Sequence, residues 1–574
     1  MKVVYRKQLM LCFLSFFSLI FVNTSTAQEE IIDSLKYSPG SAIDGMDRST
    51  PVMDNPYFVG ETGSITTIKN QNFNQGLVSD PLLLLQGRVA GLQVYNRGGD
   101  PNVSSLTRVR GLSSVINREP LIVIDGIVAA SIDNVDPNDI ASISVLKDGS
   151  AQALYGIRAS NGVFVITTKS GNYTKDTLAI SYQGQFAVST PHDAINAADA
   201  ATFRAAGGID FGSSVNWLDE VQRNGLSNTN SLAVNGRKGK TNYRVSGNYR
   251  NVEGILRKSG FNQLNMRANL SSQLLNDRLA IHLSAAYTDR SSQLGFQDAF
   301  RYANSFNPTI PLSAQASPFA YNSEQYGGYY QTIGLSDSFN PKAIIDLNDR
   351  DGKRQVLTAS ALLAYQLSPT FSLNVRYAQQ DHFSNERIFY APQSIYGGNA
   401  TSALNERKGT GELYDTENTF SLYEFFGSYQ KAFTKTKLNL SFGTAYQDGN
   451  HLEQFLQLNG FFDPTVLDIN RINDLTNWQD EASFFADTVN NGWSDKIAAF
   501  YGQAQFSVKD QFFFSAALRR EGSSKLGENN RWGTFSSLGL AWDLKDMLNI
   551  ADLKQFKIRT AYGLTGALPR RGGL

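Results

Sequence analysis

Residues 80–171 decide the reading of this chain: DPLLLLQGRVAGLQVYNRGGDPNVSSLTRVRG (80–111), EPLIVIDGIV (119–128) and DPNDIASISVLKDGSAQALYGIRASNGVFVITTKSG (136–171). Asp80 before Pro81 is a helix start, with a capping carboxylate and a proline where no amide hydrogen is needed. Residues 82–89 then read as a helix that Gly91 helps to end. Residues 121–125 read as a buried strand turned by Gly126. Asp136-Pro137-Asn138-Asp139 is a second helix start, with Asp139 placed to return a bond to the cap. Residues 143–146 read as a strand, 150–154 as a short helix closed by Tyr155-Gly156, and 163–168 as a last strand. Residues 64–68 add one short strand upstream. The product is a small α+β module dense in glycine.

The pattern changes from Asp176 onward. Leu178, Ile180, Tyr182, Gly184, Phe186 and Val188 occupy alternate positions, as do Tyr243, Val245, Gly247 and Tyr249, and Leu279, Ile281, Leu283, Ala285 and Tyr287. The same period recurs near 264–270, 356–367, 371–377, 438–446, 497–508, 512–518 and 556–562, examples among roughly fifteen strand-like segments. Segments of about ten alternating residues are long enough to cross a bilayer at a tilt. Short turns such as Leu275-Asn276-Asp277 alternate with long polar loops such as 291–350, an asymmetry that fits a barrel with a short-turn end and a long-loop end.

Bulk composition agrees with that reading. The 574 residues carry 52 basic and 52 acidic side chains, so no basic excess points to nucleic acid. A mean hydropathy of −0.28 is too low for a helical membrane protein, but not for a barrel whose lumen face is polar. The 36 Phe and 25 Tyr would supply aromatic girdles at the two membrane surfaces. Lys2, Arg6 and Lys7, the apolar run 9–22 and Ser25-Thr26-Ala27 form a secretory leader cleaved after Ala27. Its removal takes away three basic groups and no acidic one, leaving three net negative charges. Cys12, the single cysteine, goes with it, so the exported chain holds no thiol or disulfide. Residues 28–59 read as a flexible lead.

Nothing in the chain looks like an active site, so no enzyme and no cofactor are predicted. Gly239-Lys240-Thr241 ends like a phosphate loop, but position 234 is Val where that motif needs glycine, and a hairpin turn explains the stretch. Asp133, Asp136 and Asp139 are accounted for by turns and caps. His192, His282, His382 and His451 have no metal-ligand spacing. Arg108 and Arg110 are candidates either to tie the module to carboxylates of the barrel wall or to be simple surface charges. Tyr321, Tyr326, Tyr329 and Tyr330, in a long polar loop, are candidates either for exposed rings that stack on a substrate or meet a lid protein, or for local packing or an interface belt.

The pieces LQGRVAGLQV, GGDP, RVRG, PLIVIDG, NDIASISVLKDGSAQALYG and RASNGVFVITTKSG together resemble the plug domain of the SusC/RagA family of TonB-linked outer-membrane transporters. The barrel stretches KTNYRVSGNYRNVEGIL, LNMRANLSSQLLNDRL, LRREGSSKLGENNRWGTFSSLGLAWDL and FKIRTAYGLTG resemble the same family. The resemblance implies an α+β plug domain at 60–171 followed by an antiparallel transmembrane β-barrel at 172–574. That barrel is incomplete, at roughly 15 of about 22 strands. It implies import of oligosaccharides or peptides across the outer membrane, powered by TonB and its inner-membrane complex and assisted by a SusD-like lipoprotein. It places the TonB contact at a short apolar box, for which Tyr57, Phe58 and Val59 are the best match. About 30 residues stand where family members commonly carry a small immunoglobulin-like domain. The tail ALPRRGGL (567–574) cannot serve as a membrane strand, which leads to the expectation of a truncated chain that does not close a barrel alone. A non-transporting surface receptor or adhesin on the same fold, or a non-functional fragment, are the alternatives.

Overall fold

The computed structural model describes residues 62–111, 119–192, 197–313, 326–331, 339–396, 409–461, 485–548 and 556–568. The leader, the apolar box at Tyr57, Phe58 and Val59, and Tyr321 lie outside these residues.

The N-terminal module is built on a five-stranded sheet. Its strands are β1 (Ile65–Lys69), β4 (Leu121–Ile124), β5 (Ile127–Val128), β6 (Ile140–Leu146) and β7 (Val163–Thr168), in the order β1-β6-β7-β4-β5. Only the β4–β7 pair is parallel. A separate ribbon pairs β2 (Leu92–Tyr95) with β3 (Leu106–Val109). Val123, Ile140, Ile143, Val145, Val163, Phe164 and Ile166 fill the core under the sheet, and Tyr155 and Leu85 close it. Two sequence expectations need correction. The helix expected over 82–89 is a short 3-10 helix, Pro81–Leu85, capped as expected by Asp80, whose side chain accepts from Leu82 N. It buries Leu82, Leu84 and Leu85, and Gln86 already leaves helical geometry at ψ 122°. The helix expected at 150–154 is α1 (Gly149–Gln152), which runs into a 3-10 segment, Ala153–Arg158.

A single sheet of thirteen antiparallel strands follows, each paired with its neighbour in sequence. They are β8 (Thr177–Ser189), β9 (Gly225–Lys238), β10 (Thr241–Glu253), β11 (Ser259–Leu274), β12 (Leu279–Leu294), β13 (Asn348–Ser368), β14 (Phe371–Tyr390), β15 (Gly409–Ala432), β16 (Thr436–Phe461), β17 (Phe485–Val508), β18 (Phe512–Ser523), β19 (Trp532–Asp543) and β20 (Lys557–Gly563). Among the described residues the sheet has thirteen strands, with β8 and β20 at its two edges. The stretch resembling a phosphate loop is the β9–β10 hairpin, with Lys238 opposite Thr241 across Gly239-Lys240.

The sheet inverts the usual rule that apolar residues point inward. Along β10, Arg244, Ser246, Asn248 and Arg250 are at most 7% exposed, while Tyr249 is 46% exposed. Along β14, Ser372, Asn374 and Arg376 are buried, and Val375 and Tyr377 face out. A wall polar inside and apolar outside is what a strand needs between a wet or plugged lumen and lipid. Aromatic rows bound the outer apolar band. Phe371 stacks with Phe442 and Phe512 with Trp542 near the short turns, and Tyr377, Tyr423 and Tyr446 line up farther along, with centroids 5.1 and 6.4 Å apart. Beyond that row the outward residues turn polar, at Gln379, Asp381, Thr419, Asn450 and Ser494, so β13 to β17 rise past the lipid level.

The loop expected over 291–350 is shorter, because β12 runs to Leu294 and β13 starts at Asn348. Among the described residues, four helices lie in the loops at this end: α2 (Ala200–Ala205), α3 (Trp217–Val221), α4 (Asp298–Ser305) and α5 (Pro341–Asp346). Of these, α3, α4 and α5 share a small apolar core with Leu256, Ile310 and Tyr330. Trp217 and Phe306 meet edge to face there, 5.0 Å apart.

Candidate functional site: the plug–barrel interface

The lumen-facing arginines of β10 to β14 meet the acidic turns of the N-terminal module. Asp136 caps its 3-10 turn through Asn138 N (2.8 Å) and also takes both Nε and Nη2 of Arg250, the latter at 2.9 Å. Arg250 Nη1 donates to Val78 O (2.7 Å), so one guanidinium ties two segments of the module to the wall. Asp139 accepts from Arg244 Nη2 (2.8 Å) and Asn248 Nδ2 (2.7 Å). The return bond to the cap expected of Asp139 is therefore replaced by contacts to β10. Asp125 is bonded by Thr168 and approached by Arg267 Nη1 at 3.4 Å, while Arg267 Nη2 donates to Asn134 O (2.9 Å). Arg354 of β13 pairs with Asp133 at 2.9 Å. Asn134 completes the row, donating to Thr358 Oγ1 and accepting from Thr288 Oγ1.

Two wall ion pairs form seats for glycine turns. Arg376 pairs with Glu424 (2.9 Å) and donates to Gly126 O (3.3 Å), and Tyr501 donates to the other Glu424 oxygen (3.0 Å). A Cβ on Gly126 would lie 2.8–2.9 Å from the Arg376 guanidinium. Across the wall, Glu521 accepts from Ile157 N (2.9 Å) and is held by Arg519, which also donates to Leu154 O. Gly156 sits at φ +72°, and its missing Cβ would collide with the Glu521 carboxylate and Arg519. Both seats require glycine, for backbone conformation and for space. Lys169 reaches Asn138 O (2.7 Å), and its ammonium is pushed below the usual lysine range by burial and by nearby Arg244.

The residues singled out from sequence are placed differently from expectation. Arg110 donates to Ser64 Oγ (3.0 Å) within the module, and neither Arg108 nor Arg110 joins an ion pair to the wall among the described residues. The crossing pairs have the opposite polarity, with wall arginines on module aspartates. Tyr326 and Tyr330 are buried, which fits the local-packing reading of these rings and not the exposed one. Tyr329 is half-buried and donates to Asp346 Oδ2 (2.6 Å); burial and that carboxylate raise its phenol above the usual tyrosine range. The wall contacts have a signature in the sequence. In YRVSGNYR (243–250) the residues between the outward apolar positions are Arg, Ser, Asn and Arg, a set that a lumen filled only with water does not require. The GGDP turn is also part of the interface, since Arg290 of β12 donates to Asn102 Oδ1 (3.0 Å) and Pro101 O (3.3 Å). Among the described residues no group of His, Asp and Glu is placed to hold a metal.

Residues 60–163 match the family model of the TonB-dependent receptor plug domain. The chain is 27% identical to the TonB-dependent receptor SusC of Bacteroides thetaiotaomicron over 539 residues, 88% of this chain and 52% of that protein. It is 29% identical to the TonB-dependent receptor P26 of Formosa agariphila over 553 residues, 88% of this chain and 51% of that one. The chain is similar to the SusC/RagA family of TonB-dependent receptors. Its fold is shared with the RagAB peptide importer in its closed-closed state, at a TM-score of 0.74 and 18% identity, covering 90% of this chain and 61% of the other. The chain thus spans about half the length of the relatives it matches in sequence. Members of this family are outer-membrane proteins, and the module at the N-terminus is their plug.

Proposed function

We propose that the chain works in energised import of oligosaccharides or peptides across the outer membrane, after export by a cleaved leader, with TonB as its energy source and a SusD-like lipoprotein as its surface partner. One observation carries this reading: a plug held by buried, directional polar contacts inside a wall whose outer face is apolar. Buried ion pairs are poor sources of net stability compared with apolar packing, because desolvation offsets most of their attraction. They are, however, specific in geometry and cheap to replace once water enters. A plug meant only to fill the lumen would be better held by leucines. One held by Asp136–Arg250, Asp139–Arg244 and the Glu521 seat is suited to repeated release and return. The printed names of SusC as a TonB-dependent receptor and of RagAB as a peptide importer support the direction and the energy source. TonB would pull on the segment ahead of residue 62, with Tyr57, Phe58 and Val59 as the contact. Deleting residues 29–60 is expected to abolish uptake while leaving surface binding of substrate intact. Unchanged uptake in that variant would exclude coupling through this segment.

A further inference from the structure

The outer face of the wall holds a groove across β17 to β20, at the short-turn end. Its volume is about 320 Å³, and Phe506, Phe512, Phe514, Leu540, Trp542 and Ile558 line it. Register puts these side chains on one face. Phe506 stands opposite Phe514, Phe514 opposite Leu540, and Phe512 and Ile558 on either side of Trp542. All six are 38–56% exposed. Phe512 and Trp542 stack with centroids 5.2 Å apart, which makes one flank of the groove rigid. Toward the middle of the apolar band the next outward pair is small, Ala504 opposite Ala516, so no ridge closes the upper end.

Lysines gather at the lower end. Lys509 lies in the turn between Val508 and Phe512, both of which line the groove. Its amide donates to Lys435 O (2.6 Å), which brings the neighbouring turn alongside. Lys545 follows Trp542 by three positions, and its amide donates to Asp543 Oδ1 (3.1 Å). Asp510, the carboxylate of the Lys509 turn, is engaged by Lys437 at 2.8 Å. Among the described residues, Lys435, Lys509 and Lys545 are exposed and join no ion pair. Short turns of such a wall face the periplasm, so these ammonium groups lie at the headgroup level of the periplasmic leaflet. A concavity gives an acyl chain contact on several sides at once, where a convex wall gives it one. Each lysine near a membrane surface favours an anionic lipid by about five-fold.

We propose that this groove seats one anionic phospholipid of the periplasmic leaflet. An acyl chain lies against Phe506, Phe514 and Leu540, and the phosphate sits among Lys435, Lys509 and Lys545. A zwitterionic lipid would bring its own ammonium to these lysines. A second copy of the chain, related by an axis along the membrane normal, would set the same lysines against each other. The proposal goes beyond the importer reading and needs only that the wall lies in a membrane.

The test is tryptophan quenching of the purified chain in phosphatidylcholine vesicles. These hold dibrominated phosphatidylglycerol, phosphatidylethanolamine or phosphatidylcholine at equal mole fraction, since bromine on an acyl chain quenches an indole only at close range. The signal lost in Trp542→Phe is the part that reports the groove. That part is expected to be quenched at about ten-fold lower mole fraction of phosphatidylglycerol than of either zwitterionic lipid, and Lys509→Gln with Lys545→Gln should remove the difference. Retained heat-modifiable gel mobility qualifies each variant as folded, and Lys435→Gln with Lys509→Gln serves where the first pair does not fold. Equal quenching by the three lipids, a preference that survives loss of the two lysines, or one carried by tryptophans other than Trp542 would overturn the seat. So would a Trp542 shielded from all three lipids in the folded chain, which would mean that a second copy covers the groove.

Discussion

Single residues decide whether the plug stays seated. Asp136 and Arg250 are both buried, so truncating one leaves the other as an uncompensated charge in a poorly solvated site. Asp136→Ala is expected to cost about 3–5 kcal/mol in plug seating, read as faster proteolysis of the plug under conditions where the wall stays intact. Replacing both partners with leucine and methionine should recover most of that loss, since an apolar pair of similar volume has no desolvation to offset. Gly156→Ala is the sharper case. The backbone there lies at φ +72°, which alone costs a Cβ-bearing residue about 1–3 kcal/mol, and the new methyl must also displace Glu521. The expected result is loss of the Glu521 contact to Ile157 N, seen as rapid exchange of that amide, while Gly247→Ala, where a Cβ has open space, should be tolerated. Legibility in the sequence was uneven at this scale. Asp80 and Asp136 were readable as caps because capping is local. Arg108 and Arg110 misled because charge alone does not say which surface a side chain faces, whereas strand parity at Arg244 and Arg250 does.

At the scale of elements, period-2 alternation located most strands but shortened them. The readable part of β14 was 371–377, and the strand continues to Tyr390 because only its lower half faces lipid. Once both faces are wet, the apolar signal ends although the hydrogen-bonded ladder does not. β9 and β15 escaped for the same reason: polar residues such as Asn228, Asn230, Asp415 and Glu417 interrupt their alternation. The loop helices were missed because each is eight residues or fewer, too short for a helical period to stand out. The lipid boundary gives an element-level prediction. Leu538→Arg, on the outward face of β19 within the apolar band, should destabilise the barrel by about 2–4 kcal/mol. Asn450→Arg, outward on β16 beyond the tyrosine row, should cost about 0–1 kcal/mol. Urea unfolding in lipid vesicles measures both, and equal costs would misplace the band.

Over the whole molecule the plug is held from two sides, by β10 to β14 at its aspartate turns and by β18 at the Gly156 turn. These sites share no partner, so their losses should add. Asp136→Ala combined with Glu521→Ala is expected to admit large antibiotics such as vancomycin passively into cells, while each change alone has little effect on sensitivity. A double variant as resistant as wild type would mean that the apolar contacts of the plug with Phe426 and Leu422 suffice to hold it. The polarity of the interface also bears on biogenesis. Synthesis runs from the N-terminus, so Asp125, Asp133, Asp136 and Asp139 are made before the wall arginines that neutralise them. Until β10 through β14 arrive, the module carries a bare anionic rim that repels its own copies and resists premature collapse. The wall then supplies counter-charges in chain order, Arg244 and Arg250 first and Arg354 later, which turns strand insertion into a stepwise threading of a cork that is already the right shape.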